Sequence, residues 1–199
     1  MQPDDAVTDV QDAKALGIDA FAVNVQNTVN DGWAVNALNA LFTAAEDNNF
    51  KLFFSFDMAT VDDISFFIPL FLDRYTSSAY YKHNDLPFVS TFYGATMNFG
   101  HSSVSDGWQA ELRDALSEKG VEIFFVPAFS NAPKGPTDFF STYPVVDGVF
   151  SWDSSWPWED SGNVNVSSSI DKEYLSGAKD ASKTFMMGME FALVSLATS

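Results

Sequence analysis

KLFFSFDM, residues 51–58, is an apolar run in which large and small side chains alternate: Phe54 and Phe56 are interleaved with Ser55 and Asp57. Successive strand residues point to opposite faces, so this run puts rings on one face of a sheet and a hydroxyl and a carboxyl on the other. Ile18–Val25 (IDAFAVNV) repeats the pattern, with Phe21 and Val23 set against Ala22 and Asn24. Pro87–Tyr93 (PFVSTFY), Glu122–Phe129 (EIFFVPAF) and Gly148–Trp152 (GVFSW) share the Phe and Val enrichment and the polar or Gly/Pro borders of strands. A weaker sixth run is Thr184–Met189 (TFMMGM).

Helix-period segments lie between these runs. Ala34, Leu38, Leu41, Phe42 and Ala45 share one helical face, as do Trp108, Leu112, Ala115 and Leu116 in a segment that Gly120 closes. Asp5–Leu16 behaves likewise and stops at Gly17, and Ser168-x-x-Asp171 predicts a capping box opening a helix through Ala181. Ile64, Phe67, Ile68, Phe71, Leu72 and Tyr75 keep the period too, with Pro69 expected to kink or break that helix.

Alternating strands and helices predict a parallel sheet with right-handed crossovers. Strand ends fall near residues 24, 57, 92, 127, 152 and 189, and their spacing of about 25 to 37 residues is the size of one βα unit. A closed eight-unit barrel uses about 250 residues. The 199 residues of this chain fit about six units of an incomplete (β/α)8 TIM-barrel type of α/β fold. An open doubly wound sheet has the same alternation, but no G-x-G-x-x-G follows any strand and no G-x-x-x-x-G-K-[ST] occurs, so the nucleotide-binding fingerprints of that class are missing.

Composition narrows the partners. Acidic residues outnumber basic ones by 27 to 10, a net charge of −17 that repels phosphate backbones and anionic membranes, so neither nucleic acid nor membrane is expected as a partner. The plainer consequence of that charge is a well-solvated surface. With no Cys, thiolate nucleophiles, disulfides and Cys-based zinc sites are excluded. No charged and then apolar leader precedes Met1–Asp12, and no window holds about 18 uninterrupted apolar residues, so neither a signal peptide nor a membrane span is visible in this chain.

In a parallel barrel the reacting groups sit at the C-terminal strand ends, which selects Asn24, Asp57, Tyr93, Trp152 and Asp153. Asp57, ending an otherwise apolar run, either faces a pocket or caps the following helix. SWDSSWPWED, residues 151–160, holds three tryptophans and three acids in ten residues. Trp152, Trp156 and Trp158 are candidates for flat platforms under sugar C–H faces, with Asp153, Glu159 or Asp160 accepting hydroxyl hydrogen bonds; the alternative is a packed loop whose rings cover the rim. His83 and His101 lie in separate loops without a spaced partner, which gives no support to a metal site or a Ser-His-Asp triad. Asn165-Val166-Ser167 matches the N-glycosylation sequon.

Five stretches occurring in order carry a family resemblance: AKALGIDAFAVNV (residues 13–25), FKLFFSFDM (50–58), AYYKHNDLPFVSTFY (79–93), IFFVP (123–127) and VDGVFSWDSSWP (146–157). Together they resemble glycoside hydrolase family 71, the fungal α-1,3-glucanases or mutanases. The resemblance implies an extracellular or cell-wall enzyme that hydrolyses α-1,3-glucan with inversion, using two carboxylates and no cofactor. Inversion needs a general acid and a general base roughly 6.5–9.5 Å apart, with a water between them. Asp57 belongs to the family pattern and is expected in the active-site pocket as a hydrogen-bonding or charge-tuning carboxylate. Asn24, Tyr93, Trp152, Asp153 and Trp156 are expected around it as substrate-binding residues, and Phe150 in the core.

The resemblance also sets expectations about what is missing. The family pattern has a strand before the first run and an eighth strand ending in Trp-Asn-Asp-x-Gly-Glu, where the acid and base are placed. Glu190–Ser199 (EFALVSLATS) matches neither. Residues 1–189 are therefore expected to form a partial barrel and 190–199 an atypical tail, with the catalytic pair absent and self-association through open sheet edges possible. Three function classes stay open at this point: a glucan hydrolase by descent, a non-catalytic glucan-binding pseudoenzyme or fragment, and an unrelated flavodoxin-like binding domain.

Overall fold

The computed structural model describes residues 2–26, 32–59, 61–130, 132, 135–152 and 167–188. Helix α1 (Pro3–Ala15) leads into strand β1 (Ala20–Val25), then α2 (Gly32–Asp47), β2 (Lys51–Asp57) and α3 (Phe67–Arg74). A short hairpin strand β3 (Lys82–His83) precedes β4 (Leu86–Phe92). One helical rod follows, made of α4 (Val104–Trp108), a π-helical segment (Gln109–Asp114) and α5 (Ala115–Ser117). Then come β5 (Phe124–Phe125), α6 (Phe139–Thr142), β6 (Gly148–Ser151), α7 (Ser169–Asp180) and β7 (Thr184–Met187).

All six sequence-predicted runs contain strands, and they line up in parallel as β1-β2-β4-β5, with a parallel β6-β7 pair beyond. The join between β5 and β6 is carried by Asp147 N–H donating to the Phe125 carbonyl (2.8 Å) and Phe150 N–H to that of Pro127 (2.9 Å). The return bonds of a regular ladder are missing for a local reason. Phe125 N–H donates to the Asp147 carboxylate instead (2.8 Å), and Pro127 has no N–H to give. The result is an α/β partial barrel of six parallel strands.

The alternation in KLFFSFDM sorts the faces as expected. Phe54 packs on Phe42 of α2 and Phe56 on Phe67 of α3, with ring centroids 5.8 and 4.6 Å apart. On the other face Phe53 meets Phe88 of β4 at 4.7 Å, and Phe88 meets Phe124 of β5 at 5.9 Å, forming an inner layer of rings across three strands. Trp108, Leu112 and Leu116 are fully buried under the sheet, as their shared helical face requires.

Two local expectations are corrected. Pro69 neither kinks nor breaks its helix, because α3 starts at Phe67 and puts Pro69 in the first turn, where backbone N–H groups have no intrahelical partner to lose. The predicted Ser168/Asp171 capping box does not form: Ser168 makes no side-chain cap bond, and Asp171 turns inward, 7% exposed, to accept a hydrogen bond from Ser151 Oγ at 2.8 Å. The hairpin was not anticipated. Residues 79–81 pair alongside the start of β2, and Asn84 and Asp85, both with positive φ (50° and 66°), turn β3 back onto β4.

Candidate functional site

The C-terminal ends of β1, β2, β4 and β6 converge on one rim, and the polar half of that rim is built around Asp57. The Asp57 side chain is on the inner face, 4% exposed, because Phe54 and Phe56 take the helix side. Its Oδ2 accepts hydrogen bonds from Asn24 Nδ2 and Gln26 Nε2, both at 3.1 Å, and its Oδ1 accepts from the Ala59 backbone N–H at 3.0 Å. Among the described residues every partner is a neutral donor. The Ala59 bond closes a tight Asx turn and does not cap a helix, since α3 begins only at Phe67. Of the two readings open for Asp57, the helix cap is not the one formed, and the carboxylate stands at the C-terminal end of β2.

The aromatic half lies one strand over. Asp57 is level with Phe92 in the β2–β4 register, and the Phe92 ring meets Trp152 at 4.8 Å and Tyr93 at 4.4 Å. Phe150 supports Trp152 from below at 5.3 Å and is itself packed against the core. Tyr93 has a φ of 62° and Gly94 a φ of 105°, so the chain leaves β4 through two successive left-handed residues. That exit is pinned from behind: Trp108 Nε1–H donates to the Gly94 carbonyl (3.1 Å) and the Tyr143 hydroxyl to that of Ala95 (2.9 Å). Burial raises the Tyr143 hydroxyl above its ordinary pKa, which keeps it a donor.

Asn24, Asp57, Tyr93 and Trp152 are thus all placed at the rim, the first two in direct contact. Asp153 and Trp156 fall outside the described residues, as do Trp158, Glu159, Asp160, Asn165 and the segment 190–199. Gln26 is the rim residue that sequence reasoning missed. Carrying the alternation Ala22, Asn24 on by two residues, to the first position past the apolar run, reaches it. His83 sits in the β3 hairpin against Phe124 (4.3 Å), away from these strand ends, and His101 is engaged by Glu111 at 2.8 Å.

A buried carboxylate ringed by amides beside a cluster of aromatic rings, on a parallel βα scaffold, is a constellation suited to a polyhydroxylated ligand. The profile of glycosyl hydrolase family 71 matches residues 1–195. The chain belongs to glycosyl hydrolase family 71. It is 35% identical over 179 residues to a glucan endo-1,3-alpha-glucosidase of Schizosaccharomyces pombe, covering 84% of this chain and 40% of the relative. It is also 32% identical over 189 residues to the ascus wall endo-1,3-alpha-glucanase of the same organism, covering 92% and 41% respectively. The family 71 chain thus spans about two fifths of these curated relatives. Among solved structures, the family 99 endo-alpha-mannosidase of Bacteroides thetaiotaomicron aligns with a TM-score of 0.63 at 15% identity, covering 94% of this chain and 53% of that one. At that identity the likeness speaks to the fold, and it places the family 71 partial barrel beside a glycosidase scaffold.

Proposed function

We propose that this chain is the glucan-holding part of an α-1,3-glucan hydrolase of the fungal cell wall or its surroundings. The observation that carries the reading is the rim itself: Asp57, fixed by Asn24, Gln26 and Ala59, stands level with the Phe92–Trp152 pair. Sugar rings present apolar C–H faces and a girdle of hydroxyls, so one bound glucose unit is served by rings on one side and by a carboxylate with amides on the other. Inverting hydrolysis requires one carboxyl to protonate the leaving oxygen and a second to activate water. Among the described residues the partners of Asp57 are amides, not another carboxyl, so we assign it to fixing the polar side of the sugar site and not to the acid–base pair.

A second reading, a module that binds glucan without cleaving it, is favoured by the same fact. Incubating the purified chain with insoluble α-1,3-glucan separates the two. Co-sedimentation without release of reducing sugar supports binding alone, and reducing ends above the buffer control support hydrolysis. No co-sedimentation and no release would sink both.

A further inference from the structure

We propose that Asp57 is a positioning residue that locks the side-chain amides of Asn24 and Gln26 in one orientation, making them a paired hydroxyl-reading edge in which Gln26 touches the sugar. The inference rests on the glucan reading above and adds to it a specificity residue and the means by which its orientation is set.

An ionised carboxylate can only accept hydrogen bonds, so the two amides must turn an N–H toward it. That removes the ambiguity an amide otherwise has. With Nδ2 of Asn24 and Nε2 of Gln26 each 3.1 Å from Asp57 Oδ2, the carbonyl oxygens of both side chains are directed away from the carboxylate. Among the described residues neither amide makes another hydrogen bond. Each therefore offers one acceptor and one remaining N–H, the complement of a hydroxyl, which both gives and takes.

Placement makes these two groups act together. Residues two apart on a strand share a face at a spacing of about 6.6 Å, so Asn24 and Gln26 form consecutive rungs at the end of β1. Both are exposed, whereas Asp57 behind them is buried. Asp57 has therefore given up contact with solvent and acts through the amides in front of it. Asn24 is level with Ser55 in the β1–β2 register, and one step past the last paired residues, Val25 and Phe56, brings Gln26 level with Asp57. Phe92 stands at that same level on the far side. A ring lying on the Phe92–Trp152 side would thus present its hydroxyl edge toward Gln26.

The test is titration of the 199-residue chain with a soluble α-1,3-linked glucose oligosaccharide, with melting measured on the same samples. Gln26→Ala removes an exposed side chain together with one donor to the buried Asp57 carboxylate, so it is expected to lower melting modestly, leave the chain folded at the titration temperature, and weaken binding roughly 5- to 10-fold, the loss of a hydrogen bond to the ligand. Asp57→Asn, whose amide can donate as well as accept, frees the neighbouring amides to flip and is expected to weaken binding by a similar factor. In an Asn24→Ala/Gln26→Ala background the same Asp57→Asn change is expected to add nothing. A wild-type chain that fails to bind the oligosaccharide overturns the glucan reading together with this inference. Wild-type binding that Gln26→Ala leaves intact overturns this inference alone. A further loss from Asp57→Asn in the double-alanine background means that Asp57 contacts sugar directly, and overturns the positioning role.

Discussion

Gly94 shows how narrowly a single residue is specified behind the rim. Its φ of 105° is open to glycine but strained for any residue with a Cβ, and a Cβ there would meet Trp108 Cζ2 at 2.7 Å and Phe129 Cε1 at 3.2 Å. Both rings belong to a packed aromatic cluster with little room to retreat. Gly94→Ala is therefore expected to cost about 2–4 kcal/mol from backbone strain plus overpacking, read as a fall in the urea midpoint. An unchanged midpoint would mean that the β4 exit is not held as described. The same residue marks the limit of sequence reading at this scale. Asp57 and Asn24 were legible because period-two alternation needs only the neighbours on the strand. The left-handed Tyr93–Gly94 exit was not, because what imposes it is Trp108 and Phe129, far away in sequence. Gln26 was missed for a different reason, its position just beyond the apolar run that defined the strand.

Among the elements, buried polar side chains tie strands to the segments packed beside them. Asp171 on α7 reaches Ser151 at the end of β6, and this contact replaced the predicted helix cap because a buried strand end needs an acceptor that a solvated helix start can take from water. Ser151→Ala is expected to destabilise by about 1–3 kcal/mol by leaving the buried carboxylate short of a donor, and adding Asp171→Ala should recover part of that loss in a double-mutant cycle. Strictly additive losses would deny the coupling. The Tyr80 hydroxyl does similar work between β2 and β4, donating to the Phe88 carbonyl (3.0 Å) and accepting from Phe54 N–H (3.4 Å). Burial holds this hydroxyl protonated far above the usual tyrosine range. The sign follows: the folded state keeps a proton that the unfolded chain releases above about pH 10, so stability is intact below that pH and falls as pH rises beyond it. Tyr80→Phe should lower neutral-pH stability by about 1 kcal/mol and reduce the alkaline slope by up to about 1.4 kcal/mol per pH unit. An unaltered slope would remove Tyr80 as the cause, leaving Tyr143, whose burial pushes it the same way.

For the whole molecule the governing contest is between an open sheet and a large charge. Among the described residues β1 pairs on one side only, with β2, and β7 on one side only, with β6. Ala22 and Asn24 on the inner face of β1 are exposed, and Met187 on β7 is 45% exposed. The strand count and the parallel order were readable from apolar runs and their spacing, since each run needs only local composition to declare itself. How the sheet ends are exposed is a property of the assembled fold, and no local pattern encodes it. Unpaired edges and exposed inner-face residues favour association of one chain with another. A net charge of −17 opposes it through long-range repulsion. The two terms differ in their response to salt, which decides between them. Screening shortens the Debye length from about 30 Å at 0.01 M to about 3 Å at 1 M, so repulsion fades while edge pairing and apolar contact remain. Association measured by sedimentation velocity is therefore expected to increase with salt at neutral pH, and to increase again as pH approaches the isoelectric point near 4.1. Ion-pair-driven association would show the reverse salt response. A chain that stays monomeric across both series would mean that its edges are protected as it stands.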